Sequence, residues 1–353
     1  MPGPVPGFFM CFINFYTSPL WSNLAVQNFA RKGQGMTVFK YYNVQLLAID
    51  TESHAEVGVE GYKGMFQELA ARLQSAKEGK ALERVSGDLR NDFHFAPFKI
   101  EVKKDYVQGM FIKYDKVEKV SNLYTDEDEF KGGRGSTSKR YDFWFLFDFK
   151  SHTLAIQSKG GLPSVNPLTK TLSEIFIPVS QELFPNYQIS IHEMTSAQSL
   201  DKVFNADRYR RVRVDVTFSN SADLDDALLG EAGLLEKDLK DKSVHSVEHI
   251  EKPAAGGFMS GLSKIAKPML IVAARFGNAD VNYQTDGKWS HYHMKDHPVR
   301  EEVVPLPKES HDNFMARVLQ SIGVARQKTQ VSSQVLDQLH NTFPLPESEG
   351  GEK

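Results

Sequence analysis

The segment Tyr141 to Phe149, YDFWFLFDF, constrains this chain more than any other. It reads as the most deeply buried strand of the molecule, and a strand of that kind must be covered. Tyr106 to Val120 is β-rich as well and separates apolar from polar faces poorly, as expected of a strand packed on both sides. A chain of 353 residues is long enough to build the layers this requires, as about two domains or one large domain with insertions.

The remaining pattern supplies the covering elements. Thr37 to Asp50 reads as a first strand. A helix is expected from about Glu60 to Lys77, where Tyr62, Met65, Phe66, Leu69 and Leu73 recur at helical spacing. Phe93 to Lys103 reads as a strand. Leu154 to Lys159 should follow the central strand after a turn at Lys150 to Thr153. A second helix covers Leu168 to Leu183, with a kink expected at Pro178. Tyr187 to His192 is a short strand and Ser199 to Asn205 a short helix. Arg208 to Ser219 is a strictly alternating strand, and Asp223 to Lys240 reads as helical. Met269 to Met294 reads as a hairpin around Asp286-Gly287, a type I′ turn signal. Glu301 to Leu306 reads as an edge strand, Glu309 to Arg326 as an amphipathic helix, and Val331 to Phe343 as one more helix.

Strands outnumber helices and fall into hairpin-compatible pairs, which predicts an α+β fold of mixed or antiparallel sheets with flanking amphipathic helices. The expected organisation is an N-terminal extension over 1–35 and a main domain over 36–220. A helical insertion and linker over 221–267, a hairpin with C-terminal helices over 268–343, and a disordered tail over 344–353 complete it.

Composition narrows the function classes. There are 42 basic and 45 acidic residues, a net charge of −3, so a nucleic-acid or membrane surface has to be a local patch. The single cysteine, Cys11, excludes an intrachain disulfide and thiolate zinc clusters, and suggests a reducing, cytoplasmic setting. No run approaches the ~20 apolar residues of a membrane span.

Four constellations carry chemistry. Asp148, Gln157 and Lys159 would share one face of a hairpin closed by Ser151-His152, in a pairing that sets Asp148 opposite Ala155. A carboxylate, an amide oxygen and a lysine so placed could hold Mg²⁺ or Mn²⁺ against a phosphodiester. This resembles the Asp…(Glu/Gln)-x-Lys core of restriction-endonuclease-like nucleases, with Gln157 the weaker metal ligand at the middle position; an ordinary hairpin is the competing reading.

The second constellation runs from Trp289 through His291, His293, Asp296 and His297. Imidazole and carboxylate at this spacing suit Zn²⁺ or Mn²⁺. The run is similar to the H-x-H-x-D-H motif of metallo-β-lactamase-fold hydrolases, but one residue too many precedes Asp296, which excludes that family. Pairing outward from Asp286-Gly287 sets Asn282 opposite His291 and Asp280 opposite His293, on a wet face with Gln284 and Trp289. That face reads as solvated or as ligand-contacting, with Trp289 stacking a planar group.

Third, alternation in RYRRVRVDVTFS buries Val212, Val214, Val216 and Phe218 and turns Arg211 and Arg213 outward with Tyr209 and Asp215. Such arginines can contact phosphates, or pair with acids across a solvated face. Fourth, the loop Lys131 to Arg140 mixes glycines, hydroxyls and Lys139 without P-loop spacing, next to an acidic run that would neutralise it.

The segments FKYYNVQLL, VGVEGYKGMFQELA and NADRYRRVRVDVTFSN make Met36 to about Arg326 resemble an uncharacterised bacterial family that carries only a domain-of-unknown-function label. Such families are often met near phage-defence genes, and the resemblance implies that context. Two functions are therefore carried forward. One is a binding protein for nucleic acid (DNA or RNA) or a protein partner, with Arg211, Arg213, Trp289, His291 and His293 as the contact set and no cofactor assigned. The other is a divalent-metal-dependent nuclease using Asp148, Gln157 and Lys159.

Overall fold

The computed structural model describes residues 36–49, 57–133, 135–217, 242 and 244–331. Its strands are β1 (Thr37–Ala48), β2 (Gly87–Asp88), β3 (Phe93–Val102), β4 (Tyr106–Asp115), β5 (Lys119–Ser121), β6 (Asp128–Lys131), β7 (Arg140–Asp148) and β8 (Thr153–Ser158). They continue with β9 (Tyr187–Glu193), β10 (Arg208–Thr217), β11 (Ser246–Glu251), β12 (Gly277–Thr285), β13 (Lys288–His293) and β14 (Arg300–Val303). The helices are α1 (Val59–Glu78), α2 (Val165–Leu183), the single turn α3 (Asp201–Phe204), α4 (Ala266–Phe276) and α5 (His311–Lys328). The fold is α+β, and the described strand pairings are antiparallel.

An eight-stranded sheet runs β14-β1-β8-β7-β4-β3-β2, with β9 beside β1 beyond the end of β14. The central strand β7 is covered on both faces, as YDFWFLFDF demands. On one face Phe143, Phe145, Phe147 and Phe149 pack under Tyr62, Met65, Phe66 and Leu69 of α1 and Leu172, Ile175 and Phe176 of α2. The Phe66 ring lies 4.9 Å from that of Phe147 and 5.6 Å, edge-on, from that of Phe176. On the other face Phe39, Tyr41, Leu146 and Ala155 meet Phe314, Met315, Val318 and Ile322 of α5. Each such side chain removed from water contributes about 1.5–3 kcal/mol. The helix α5 starts where Ser310 accepts a hydrogen bond from the Asn313 amide at 3.2 Å, an N-cap that occupies one otherwise unpaired donor.

A four-stranded sheet, β11-β10-β12-β13, is inserted between β9 and β14. Here one face is covered: Val212, Val214, Val216, Val281 and Tyr292 pack on Met269, Leu270, Ile271, Ala273 and Ala274 of α4. The two layers are joined by main-chain bonds from Thr195 to Ala274 (2.8 Å) and from Ser196 to His297 (2.9 Å). Among the described residues, no helix is long and apolar enough to cross a membrane.

Several expectations are corrected. Met269 to Met294 is not a hairpin throughout, because Ala266–Phe276 is helix and only the rest pairs. A short run such as MLIVAA is apolar on every face, so periodicity cannot separate buried helix from buried strand. Pro268 sits in the first turn of that helix, where its missing N–H leaves no bond unmade. The chain passes from α4 into β12 without a loop, and Gly277 allows it: a Cβ there would lie 1.9 Å from the Asp215 carbonyl oxygen. The acidic run before the Gly-rich loop is partly strand, since β6 pairs with β5 in a small hairpin, with Asp128 bonded to Lys119 at 3.0 Å. The expected helix over 223–240, the extension over 1–35, the tail from 344 and all but Val331 of the 331–343 helix lie outside the described residues.

Candidate nucleic-acid interface

The outer face of the four-stranded sheet is polar, and the register organises it. Three cross-strand rows stand side by side: Arg208, Gln284 and Trp289; Arg211, Asn282 and His291; Arg213, Asp280 and His293. The pairing of Asn282 with His291 and of Asp280 with His293 is the one the turn signal predicts. Asp286 and Gly287 both take positive φ, +52° and +75°, as a type I′ turn requires.

The alternation expected of β10 breaks once. A register shift between Tyr209 and Arg211 makes Arg210 a bulged residue, and a bulge re-aims the side chains beside it. Tyr209, expected on the wet face, is instead buried among the α4 contacts and donates its hydroxyl to the Val203 carbonyl at 2.6 Å. Burial pushes that phenol up to about 12. Arg210 is exposed and joins the arginines of the outer face, its guanidinium 4.0 Å from the centre of the Trp289 ring. The Arg208 guanidinium lies 4.0 Å from the Phe258 ring centre in the same way. Beside the bulge opens a cleft of about 400 Å³ lined by Arg210, Arg211, Lys252, Gly256 and Gly257.

The face is electrically divided. The Arg208–Arg211 end is basic and carries the aromatic rings. The far end is acidic, with Asp215, Glu248 and Asp280. Arg213 is spent there: its Nε lies 2.6 Å from Glu248 and 3.7 Å from Asp215. Burial raises the Asp215 carboxyl despite Arg213, and Glu248 and Asp280 push it further up. Of the expected contact set, Arg211, Trp289 and His291 thus stand next to free cationic surface, while Arg213 and His293 belong to the acidic end. His297, further along the same run, lies apart, stacked on the inward Tyr292 at 5.0 Å.

The proposed nuclease set does not converge. Asp148 pairs with Thr153, not Ala155, because the connection is the four-residue loop from Phe149 to His152. Thr153 and Gln157 are four residues apart along β8, about 13 Å at strand rise. Asp148 is bonded within its own turn, to the Ser151 hydroxyl at 2.5 Å and the Lys150 amide at 3.2 Å. Gln157 accepts the Trp144 amide at 3.3 Å. Lys159 lies beyond the strand, 5.8 Å from the Phe143 ring, whose strand position faces away from Asp148. The Gly-rich loop is likewise occupied from within. The Asp115 carboxylate accepts bonds from Thr137 Oγ1 (2.7 Å) and the amides of Ser138 (2.8 Å) and Lys139 (2.9 Å), and also bonds Ser138 Oγ. Slight burial would raise its pKa, but the bonds from Ser138, Lys139 and Thr137 hold it well below the usual carboxylate range.

Lys252 and Phe258 have no signal in the sequence pattern, and Arg208 and Arg210 belong to the arginine run of RYRRVRV but not to the set that alternation turns outward. The bulge has no signature in RYRRVRV, and Lys252 reaches the face only through the pairing of β11 with β10.

Together these observations define an α+β protein with one sheet packed on both faces and a second sheet whose polar face no described element covers. The chain belongs to the family described as a domain of unknown function, DUF4747, whose model matches residues 40–321, from β1 into α5. No curated protein matches it.

Proposed function

We propose that the protein binds single-stranded nucleic acid on the basic end of this open face. The observation that carries the reading is the Arg210–Trp289 stack beside Arg208, Arg211 and Lys252. Arginines neutralise phosphates, and a flat aromatic surface stacks unpaired bases, which a duplex does not offer. His291 extends the planar surface by one row. The acidic end repels the backbone and limits the contact to the region near the Asp286-Gly287 turn. With a net charge of −3 over the whole chain, binding depends on this patch and weakens steeply with salt. The cytoplasmic, bacterial phage-defence setting implied by the family resemblance is part of the same reading; in such a host, Arg211→Ala is expected to abolish any protection the gene confers.

The test is fluorescence anisotropy with single-stranded and duplex oligonucleotides, in EDTA, over a salt series. Single strands are expected to bind more tightly than duplex. Trp289→Ala should weaken them by about 1–3 kcal/mol, roughly 5- to 150-fold. No binding at low salt, or affinity unchanged in both Arg211→Ala and Trp289→Ala, contradicts the reading. A protein partner on this face would show as that second outcome together with a pulled-down protein lost in the same variants.

A further inference from the structure

We propose that Asp280, His291 and His293 hold one divalent transition-metal ion of the zinc class on the outer face of the four-stranded sheet. His291 and His293 are two residues apart on β13, so strand periodicity sends both imidazoles to the same side. Asp280 on β12 is paired directly with His293. One ligand atom from each of the three lies within 4.8 Å of the other two. Ligands bonded at 2.0–2.1 Å to a common tetrahedral ion stand about 3.4 Å apart, so small side-chain rotations complete the set.

The surroundings favour a shared cation over three independent groups. The two imidazole rings lie nearly parallel, 4.0 Å apart and tilted by 14°. Asp280 Oδ1 already meets His293 Nδ1 at 2.5 Å. The cation that could have claimed Asp280 from its other side, Arg213, is paired with it in register but is drawn to Glu248 instead, which leaves the carboxylate turned to the histidines. Two imidazole nitrogens and one carboxylate oxygen suit Zn²⁺, whereas Mg²⁺ prefers an octahedral shell of oxygens. Three protein ligands leave a fourth position, and the exposure of His291 and His293 opens it to water or to an oxyanion. The metal site does not rest on the nucleic-acid reading. The neighbouring His297 plays no part, being stacked on Tyr292.

The experiment is calorimetric titration of the tag-free, chelator-stripped full chain with ZnCl₂, without nucleic acid, and with MgCl₂ as the contrast. One zinc per chain is expected and no heat from magnesium. His291→Ala, His293→Ala and Asp280→Asn should each weaken zinc at least about tenfold, and the double histidine variant should lose it. Co²⁺ should give visible absorption of a tetrahedral site in the wild type and none in the double variant. His297→Ala should bind zinc as the wild type does, and far-UV circular dichroism confirms that each variant is folded. Absence of zinc uptake by the wild type, or uptake unchanged in the folded double variant, overturns the proposal. Because the oligonucleotide assay is run in EDTA, the two proposals fail separately.

Discussion

The large sheet and the small sheet draw on the same residue types and end differently. In the large sheet both faces are closed, by α1 and α2 on one side and α5 on the other. Its buried polar groups turn inward: the side-chain amide nitrogen of Gln108, 1% exposed, donates to Glu101 at 3.0 Å and to Asp312 at 2.9 Å, while its Oε1 is left unpaired among the described residues. The small sheet spends its apolar residues on α4 alone and leaves arginines, histidines, acids and a tryptophan on the other face. Burying both faces gives stability and leaves little surface to recognise a ligand. Covering one face gives up part of that stabilisation and keeps side chains available. Substitutions should therefore separate the sheets: the first answers in stability, the second in binding.

The largest expected effect is in the large sheet. Phe145→Ala removes a fully buried ring that packs 4.4 Å from Phe111 and should cost about 3–5 kcal/mol in urea unfolding. A cost below about 1 kcal/mol would break the comparison.

The next effect lies where the layers meet. Burial first, then the positive charges of His245 and Lys295, push the His192 imidazole on β9 down from 6.5 to about 4. The unfolded chain takes up that proton below about pH 6.5, while the folded protein resists it until about 4. Stability is full above pH 6.5 and falls as pH drops from 6.5 toward 4, by up to about 3 kcal/mol. His245, itself lowered by burial, adds to the same slope. Unfolding midpoints at pH 7.5, 5.5 and 4.5 should show this decline, and His192→Gln should flatten it.

Gly277→Ala should cost about 1–3 kcal/mol, because the added methyl meets the β10 backbone where α4 turns directly into β12. Oligonucleotide affinity should fall along with it, since the rows of the open face depend on that register. The smallest effects sharpen the division within the face itself. Arg211→Ala and Arg213→Ala should each change stability by less than about 1 kcal/mol. Arg211→Ala should weaken oligonucleotide binding and lower the salt slope by about 0.7, while Arg213, held by Glu248, should matter far less. Equal losses for both would contradict the electrical division.

The fold was legible wherever periodicity was long or a turn chemically distinctive. The stripe from Tyr62 to Leu73 gives α1, and Asp286-Gly287 gives both the turn and the register that aligns the open face. The illegible parts turn on tertiary contacts. The loop after β7 is longer than a two-residue turn because His152, at φ +51°, is buried and stacks 4.3 Å from Tyr62. With that four-residue loop the hairpin register is shifted by two residues from the expected one, which separates Asp148 from Gln157. The bulge at Arg210 likewise reverses Tyr209 and brings a further arginine to the face, and no local signal in RYRRVRV announces it. Clustering of Asp280 with His291 and His293 was readable from pairing alone; the diversion of Arg213 to Glu248 was not, because Glu248 arrives from a strand more than thirty residues away.

Ultraviolet cross-linking of a single-stranded oligonucleotide to the full chain, followed by mass-spectrometric mapping of the modified peptides, tests the central claim most directly. The account predicts cross-links concentrated at Trp289 and in the Arg208–Arg211 segment, and lost in the Arg210→Ala/Arg211→Ala variant. Cross-links confined to the large sheet or its covering helices, with none on the open face, would contradict it.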